Sequence, residues 1–96
     1  MYFFRFITVP NSAHPDYDRI GQSHINCWVD RPTLDDAYRF AKDYIRDANW
    51  LVNEPDEACE VSREFYEDDS PHLEYYERAL TEKKVFVFVT SPKRRS

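Results

Sequence analysis

Two neighbouring side chains in the stretch HINCWVD have the types needed for nucleophilic chemistry. His24 and Cys27 are separated by an odd number of positions, so on a strand they point to opposite faces of the sheet. A cysteine–histidine nucleophilic pair is therefore not expected, and Cys27 is interpreted as a small core residue. His24 and Asn26 share a face with Trp28, which makes them candidates for a polar pocket.

A second stretch, HPDYD, supplies His14, Asp16 and Asp18 within five residues. Imidazole and carboxylate groups bind metals, so a metal ion is conceivable at this point of the chain. The sequence has no calcium-loop pattern and no second ligand group at a recognisable spacing. A turn with solvated acids is the preferred interpretation, and no metal or other cofactor is predicted.

Ten acidic residues lie between Glu54 and Glu77, and Arg63 is the only opposing charge in that segment. Such a run usually forms a solvated face. Its functional interpretation is a docking surface for a basic protein, because carboxylates steer and neutralise Lys or Arg groups. Immunity-type inhibitors of basic toxins or nucleases use the same principle, which is an analogy here. The candidate docking residues are Glu57, Glu60, Asp68 and Asp69.

Composition restricts the class of protein. The chain has 18 acidic and 13 basic residues and a net charge of −5, so we expect it to repel nucleic acid phosphates and anionic lipids. Cys27 and Cys59 are 32 positions apart and fit no zinc-binding spacing. The sequence has neither a signal-peptide pattern nor an apolar run long enough to span a membrane. A cytoplasmic protein with no nucleic acid or membrane partner is expected.

The chain of 96 residues, with 17% aromatic side chains, predicts one globular domain over 1–96 with a flexible basic tail at 92–96. Apolar spacing predicts a helix over 33–48, with Thr33 as its cap. A second helix is predicted to begin at Pro71 with Ser70 as its cap. Residues 55–66 fit either a strand or a helix, and a strand over 58–66 is preferred. The other predicted strands are 2–9, 24–30, 49–54 and 84–90.

This element order predicts an α+β fold. It contains a ferredoxin-like β-α-β-β-α-β core with an additional N-terminal strand, and right-handed crossovers would place both helices on one face of an antiparallel sheet. The other face would then lack cover.

The stretch KVFVFV at 84–89 is apolar on both sides, so something must lie against each face of that strand. Three covers are considered: a second copy of the chain, the loop 10–23 folded back, or a ligand or different protein. The second copy is preferred, because closed two-fold dimers are the commonest oligomers. The residues predicted to form the associating face are Trp28, Phe86, Phe88, Phe4 and Phe6.

The preferred function is a small acidic interaction module that forms a homodimer through its sheet and does no catalysis, because no catalytic constellation is convincing. One alternative is a small dimeric ferredoxin-like enzyme or ligand-binding protein, so the enzyme question stays open. A further alternative is the immunity-type inhibitor of a basic toxin or nuclease. The possible pocket of the ligand-binding alternative consists of His24, Asn26, Tyr38 and Tyr44.

Overall fold

A computed structural model describes residues 1–68 and 70–93 of the chain. The architecture is α+β, with one four-stranded antiparallel sheet and two α-helices. A short 3-10 helix at Arg63–Phe65 precedes the second α-helix. The strands are β1 (Tyr2–Thr8), β2 (Ile20–Val29), β3 (Glu57–Glu60) and β4 (Lys84–Pro92), and the helices are α1 (Leu34–Asp47) and α2 (Pro71–Glu82).

The strand order across the sheet is β3-β1-β2-β4. The first two strands of the chain form the centre, paired antiparallel with Phe4 opposite Cys27, and the two later strands form the edges. The predicted ferredoxin-like arrangement is not confirmed by this order. The described residues contain four strands, whereas the sequence predicted five.

The two helices pack on opposite faces of the sheet. Ala37, Ala41 and Ile45 of α1 are fully buried against one face, together with Phe4, Phe6, Ile25 and Cys27. Leu73, Tyr76 and Ala79 of α2 pack on the other face against Trp28 and Val85. The prediction that both helices share one face is wrong. The connection from β2 to β3 crosses the sheet in one direction and the connection from β3 to β4 crosses back, and each carries its helix over a different face.

The second apolar face of β4 is therefore covered by the chain itself. Phe86 and Phe88 lie opposite Cys27 and Ile25 on the α1 face, whereas Val85 lies opposite Trp28 on the α2 face. The predicted grouping of Phe86 and Phe88 with Trp28 on one face is wrong. The pairing register between β2 and β4 decides which of their side chains share a face of the sheet, and this register cannot be read from side-chain size.

Residues 49–54 do not form the predicted strand. Asn49 adopts a left-handed conformation with φ of 69°, which ends α1, and Trp50 makes a single isolated bridge with Pro10. Two backbone hydrogen bonds flank this bridge, from Leu51 N to Val9 O and from Asn11 N to Asn49 O, each at 3.0 Å. Beyond the bridge, side chains replace backbone partners: the Asn53 side chain donates to Ile7 O at 2.7 Å, and Thr8 Oγ1 donates to Leu51 O.

Three other predicted boundaries shift. The second strand begins at Ile20, so the connection between the first two strands is shorter than the predicted loop 10–23, and that loop does not cover the sheet face on which α2 packs. The ambiguous segment is a strand only at Glu57–Glu60, followed by the 3-10 helix. At the predicted tail, β4 extends to Pro92, and Lys93 N donates to Arg19 O at 2.8 Å; residues 94–96 lie outside the described residues.

Both helices begin where the sequence predicts. Thr33 Oγ1 accepts a hydrogen bond from Asp36 N at 3.1 Å, and Ser70 Oγ accepts one from His72 N at 3.2 Å. These caps satisfy N–H groups that the first helical turn leaves unpaired. Pro71 occupies the first helical position, where its missing N–H costs nothing.

Candidate functional site: a groove on the sheet face beneath α2

The second face of the sheet is only half covered, because α2 is too short to span it. Its 12 residues make a helix of about 18 Å. The 10 residues of β2 extend for about 33 Å. The helix packs on Trp28 and Val85, at one end of the strands. The other end is a groove with a volume of about 510 Å3, and Val89 at its rim has 56% of its surface exposed.

Polar side chains form the floor of the groove. Arg5 of β1 lies opposite Asn26 of β2. His24 lies two positions before Asn26 in β2 and therefore points to the same face. The Arg5 guanidinium contacts Asp56 Oδ2 at 2.5 Å and lies 3.9 Å from Glu57 Oε2. The hydrogen bond to Asp56 is the main cause of a raised pKa at Arg5. One cation therefore faces two carboxylates at this end of the groove.

Aromatic side chains form the wall nearest α2. The Tyr66 ring centroid lies 6.3 Å from that of His72 and 6.2 Å from that of Phe65. Phe65 belongs to the 3-10 helix and has 66% of its surface exposed, which is high for a phenyl ring. Behind this wall, Trp28 Nε1 donates a hydrogen bond to Tyr66 Oη at 2.9 Å. Burial is the main cause of a raised pKa at Tyr66, so its hydroxyl keeps its proton near neutral pH.

Cys59 of β3 places a half-buried thiol on the groove lining. Burial, and then the carboxylate of Glu57, raise the pKa of this thiol. Thiolate is the nucleophilic form of cysteine, so the environment of Cys59 disfavours nucleophilic chemistry. Cys27 lies on the opposite face of the sheet, and burial raises its pKa further still.

The predicted pocket is divided between the two faces. His24 and Asn26 lie in the groove. Tyr38 and Tyr44 lie on α1, across the sheet: Tyr38 Oη donates to Glu54 Oε2 at 2.6 Å, and Tyr44 stacks on Phe86 with 4.0 Å between ring centroids. The four residues therefore do not form one pocket.

The predicted associating face is not an exposed surface. Its five residues are divided between the helix-covered faces, with Trp28 under α2 and the four phenylalanines under α1. Phe4, Phe6 and Trp28 are buried to 1% exposure or less, and Phe86 and Phe88 are half-buried.

The predicted acidic docking residues do not share one surface either. Glu57 lines the groove beside Arg5, whereas Glu60 lies opposite Tyr2, whose side chain packs on the α1 face. Asp68 lies near the first turn of α2, and Asp69 lies outside the described residues. The docking of a basic protein stays a prediction.

The acidic turn that could have held a metal is occupied by contacts within the chain. His14 Nδ1 accepts a hydrogen bond from Asp16 N at 3.0 Å, and its ring packs edge-on against Trp50. Within residues 1–68 and 70–93, no group of three or more potential metal ligands comes together. The helices of this same part of the chain include none long and apolar enough to cross a membrane.

Most residues of the groove are not predicted by the sequence. These residues come from β1, β3, the 3-10 helix, the segment that follows it and α2, and their proximity depends on the strand order: Arg5, Cys59, Phe65, Tyr66 and His72. The one available signal was the position of Ser70 and Pro71, which sets where α2 begins but not the face on which it packs.

The fold and the groove define a small α+β protein with a helix on each side of its sheet. One end of the sheet face on which α2 packs is left exposed. Comparisons of the chain with protein-family models, with curated proteins and with solved structures gave no significant match. The function must therefore be inferred from the groove itself.

Proposed function

We propose that this is a binding protein without catalytic activity, and that the groove holds a small organic amine with a planar apolar group. The observation that supports the proposal is the half-covered sheet face, where a polar floor meets an aromatic wall. A volume of about 510 Å3 lies within the range of about 300–1,000 Å3 that is typical of small-molecule sites.

The wall suits a planar apolar group. Phe65 and Tyr66 present rings on one side of the groove, and Val89 lies on the opposite rim with 56% of its surface exposed. Covering Phe65 and Val89 would remove apolar surface from water at about 25 cal/mol per Å2. A ring stacked on Phe65 would gain aromatic contact beyond this area term.

The charges favour a cation over an anion. The Arg5 guanidinium is paired with Asp56, so its charge is not free to attract an anionic ligand. The Glu57 carboxylate, 3.9 Å from the same guanidinium, adds a second negative charge beside the groove. An ammonium group near Glu57 would also be attracted by the aromatic faces of the wall.

The chemistry of the lining favours binding over catalysis. The thiol of Cys59 and the hydroxyl of Tyr66 both have raised pKa values, so both keep their protons near neutral pH. His24 and Asn26 offer hydrogen-bonding groups that would orient a ligand on the floor. The cytoplasmic location remains a proposal of the same kind, resting on composition.

Amide NMR chemical shifts measured with 2-phenylethylamine test the proposal. At about 0.5 kcal/mol per non-hydrogen atom, this nine-atom probe should bind with a Kd on the order of 1 mM. We expect saturable shifts at Asn26, Cys59 and Phe65. Phenylacetate, which exchanges the ammonium for a carboxylate, and ethylamine, which lacks the ring, should each bind at least about tenfold more weakly.

Two variants separate the roles of ring and charge. Phe65→Ala should weaken phenylethylamine binding about five- to tenfold without changing stability, since the ring is largely exposed. Leu51→Ala, at a residue with 51% exposure outside the groove, is the matched control and should bind as the wild type does. Glu57→Gln should reduce the preference for phenylethylamine over phenylacetate. Equal binding of both probes, or no saturable shift in the groove, contradicts the proposal.

A further inference from the structure

The outer edge of β4 has the properties of a pairing surface. This strand is nine residues long and forms one edge of the sheet, and no strand in residues 1–68 and 70–93 pairs with its outer side. It carries no charged residue between Lys84 and Lys93. Long apolar edge strands are templates for pairing with another chain, and proteins usually block them with charges, bulges or covering loops.

The register of the sheet fixes which backbone groups face outward. Asp30 N donates to Lys83 O at 3.0 Å, and this pair continues the β2–β4 ladder, in which Val29 lies opposite Lys84. Hydrogen-bonded and non-hydrogen-bonded positions alternate along an antiparallel ladder. The N–H and C=O groups of Phe86, Phe88 and Thr90 therefore point away from β2.

We propose that a second copy of the chain pairs antiparallel with β4 about a two-fold axis at Val87, which joins the two sheets into one of eight strands. In this register Phe86 lies opposite the partner's Phe88 on the α1 face, and Val85 lies opposite the partner's Val89 on the α2 face. Lys84 lies opposite the partner's Thr90, so no two charges face each other. The outward-facing positions of both strands coincide, which allows a regular ladder.

The flanking side chains continue this apolar edge onto both faces. On the α1 face, Tyr44 is 38% exposed beside the half-buried Phe86, and on the α2 face Val89 is 56% exposed. The interface would be a strip about 30 Å long and roughly 20 Å wide, because it includes the edge of the sheet and part of each helix layer. Each copy would then bury about 600 Å2 of its surface. The total of about 1,200 Å2 reaches the lower end of the range for stable interfaces.

The same pairing would complete the groove. Helix α2 covers the Val85 end of β4 and leaves the Val89 end exposed. Antiparallel pairing sets the Val85 end of the partner's strand beside this exposed end, and a two-fold axis perpendicular to the sheet keeps both α2 helices on one face. Each groove would then lie between its own α2 and that of the second copy. This pairing rests on the edge of β4 and holds whether or not the groove binds an amine.

Sedimentation velocity at about 100 µM, well above typical dimer dissociation constants, tests the pairing. We expect twice the chain mass of 11.6 kDa. Thr90→Pro removes an outward-facing N–H from an exposed residue and should give the chain mass with an unchanged circular dichroism spectrum. Ala58→Pro is the matched control on β3, at the opposite edge, and should stay dimeric. A wild-type protein at the single-chain mass, or a dimeric Thr90→Pro variant, overturns the proposal.

A disulfide tests the register. Residues that face each other in a non-hydrogen-bonded pair have Cα atoms about 4.5 Å apart, within the range of about 4.4–6.8 Å for disulfides. In a Cys59→Ser background, Val87→Cys should therefore form a covalent dimer on mild oxidation, whereas Ala58→Cys in the same background should not. A dimer by sedimentation without the Val87→Cys cross-link overturns the two-fold axis at Val87.

Discussion

Trp28 Nε1 donates a hydrogen bond to Tyr66 Oη across 2.9 Å, and this bond ties the centre of the sheet to the segment between β3 and α2. The indole is 1% exposed, so its N–H has no access to bulk water. The Tyr66 hydroxyl satisfies this donor while its ring forms part of the groove wall. The stability of the α2 layer and the shape of the groove therefore depend on the same side chain.

Replacing Tyr66 with phenylalanine should leave the indole N–H without its partner. An unsatisfied buried donor costs about 1–3 kcal/mol, and we expect this loss in the free energy of unfolding measured with urea. Tyr75→Phe is the control, because the Tyr75 ring packs on Trp28 with 5.2 Å between centroids and the variant keeps that packing. Equal stability of the two variants would show that the hydrogen bond contributes nothing.

The stacked pair of Tyr44 and Phe86 should be energetically coupled. Their ring centroids are 4.0 Å apart with planes inclined by 14°, which joins α1 to the edge strand β4. A double-mutant cycle with alanine at both positions should give a coupling energy of about 0.5–1.5 kcal/mol. Tyr38 and Phe86 provide the comparison, because Tyr38 packs on Phe4 instead, and their coupling should be near zero. Similar coupling in both cycles would contradict a specific contact.

Replacing Lys83 with glycine should stabilise the protein. Lys83 ends α2 in a left-handed conformation with φ of 73°, which glycine adopts without steric cost. The ion pair of Lys83 with Asp30 is long, at 3.5 Å, and largely exposed on the lysine side, so its loss matters little. We expect Lys83→Gly to raise the free energy of unfolding by about 0.5–1 kcal/mol. Lys84→Gly, one residue into the strand, should lower it.

Alkaline pH should destabilise the fold through the two thiols. Burial raises the pKa of Cys27, and burial together with the Glu57 carboxylate raises the pKa of Cys59. A group with a raised pKa in the folded state stabilises the fold fully below its unfolded pKa, about 8.5 for cysteine, and loses this contribution as the pH rises toward the folded value.

The free energy of unfolding should therefore fall as the pH rises above about 8.5, and urea unfolding at a series of pH values measures this slope. In the Cys27→Ala/Cys59→Ala variant the slope should be shallower, because only other groups still titrate. The variant need not be as stable as the wild type, since the slope and not the absolute stability is compared. Parallel slopes would rule out the thiols as its cause.

Gly21 should not tolerate a side chain without adjustment. A Cβ at this position would lie 3.0 Å from Pro92 O and 3.1 Å from Lys93 Cα, both backbone atoms. The register between β2 and β4 shifts between Ile20 and Gln22, so the glycine lies at a bulge that brings the two backbones together. We expect Gly21→Ala to lower stability by about 1 kcal/mol or more and to shift amide resonances at Lys93. Resonances of α1 should not change.

The helices and the terminal strand could be predicted from local chemistry. The Thr33 and Ser70 caps and the apolar periodicity that follows each cap fix where the helices begin, independently of tertiary contacts. The two-sided apolar pattern of 84–89 predicts that protein lies against each face of that strand, and α1 and α2 pack on those two faces. The identity of the cover could not be obtained from the pattern, because α1 and α2 each have an apolar face that could pack on either side of the strand.

The groove could be predicted only in part for a related reason. His24 and Asn26 share a face by strand alternation alone, but Arg5 joins them only because β1 pairs with β2 in one register. A shift of one residue would have sent Arg5 to the α1 face. The composition of residues 49–54 predicts a strand, but only an isolated bridge between Pro10 and Trp50 forms. Beyond it, Leu51 O and Ile7 O accept hydrogen bonds from the side chains of Thr8 and Asn53 and not from backbone N–H groups.

The sheet separates two apolar clusters that differ in how completely they exclude solvent. Ala37, Ala41 and Ile45 on the α1 side are fully inaccessible, whereas Leu73 and Tyr76 on the α2 side keep 5% and 9% of their surface in contact with solvent. Local opening follows the weaker contacts. The α2 layer should therefore detach transiently while the other layer stays folded, and its amides should exchange with deuterium faster than those of α1. Such openings would expose Trp28 and change the depth of the groove without unfolding the protein.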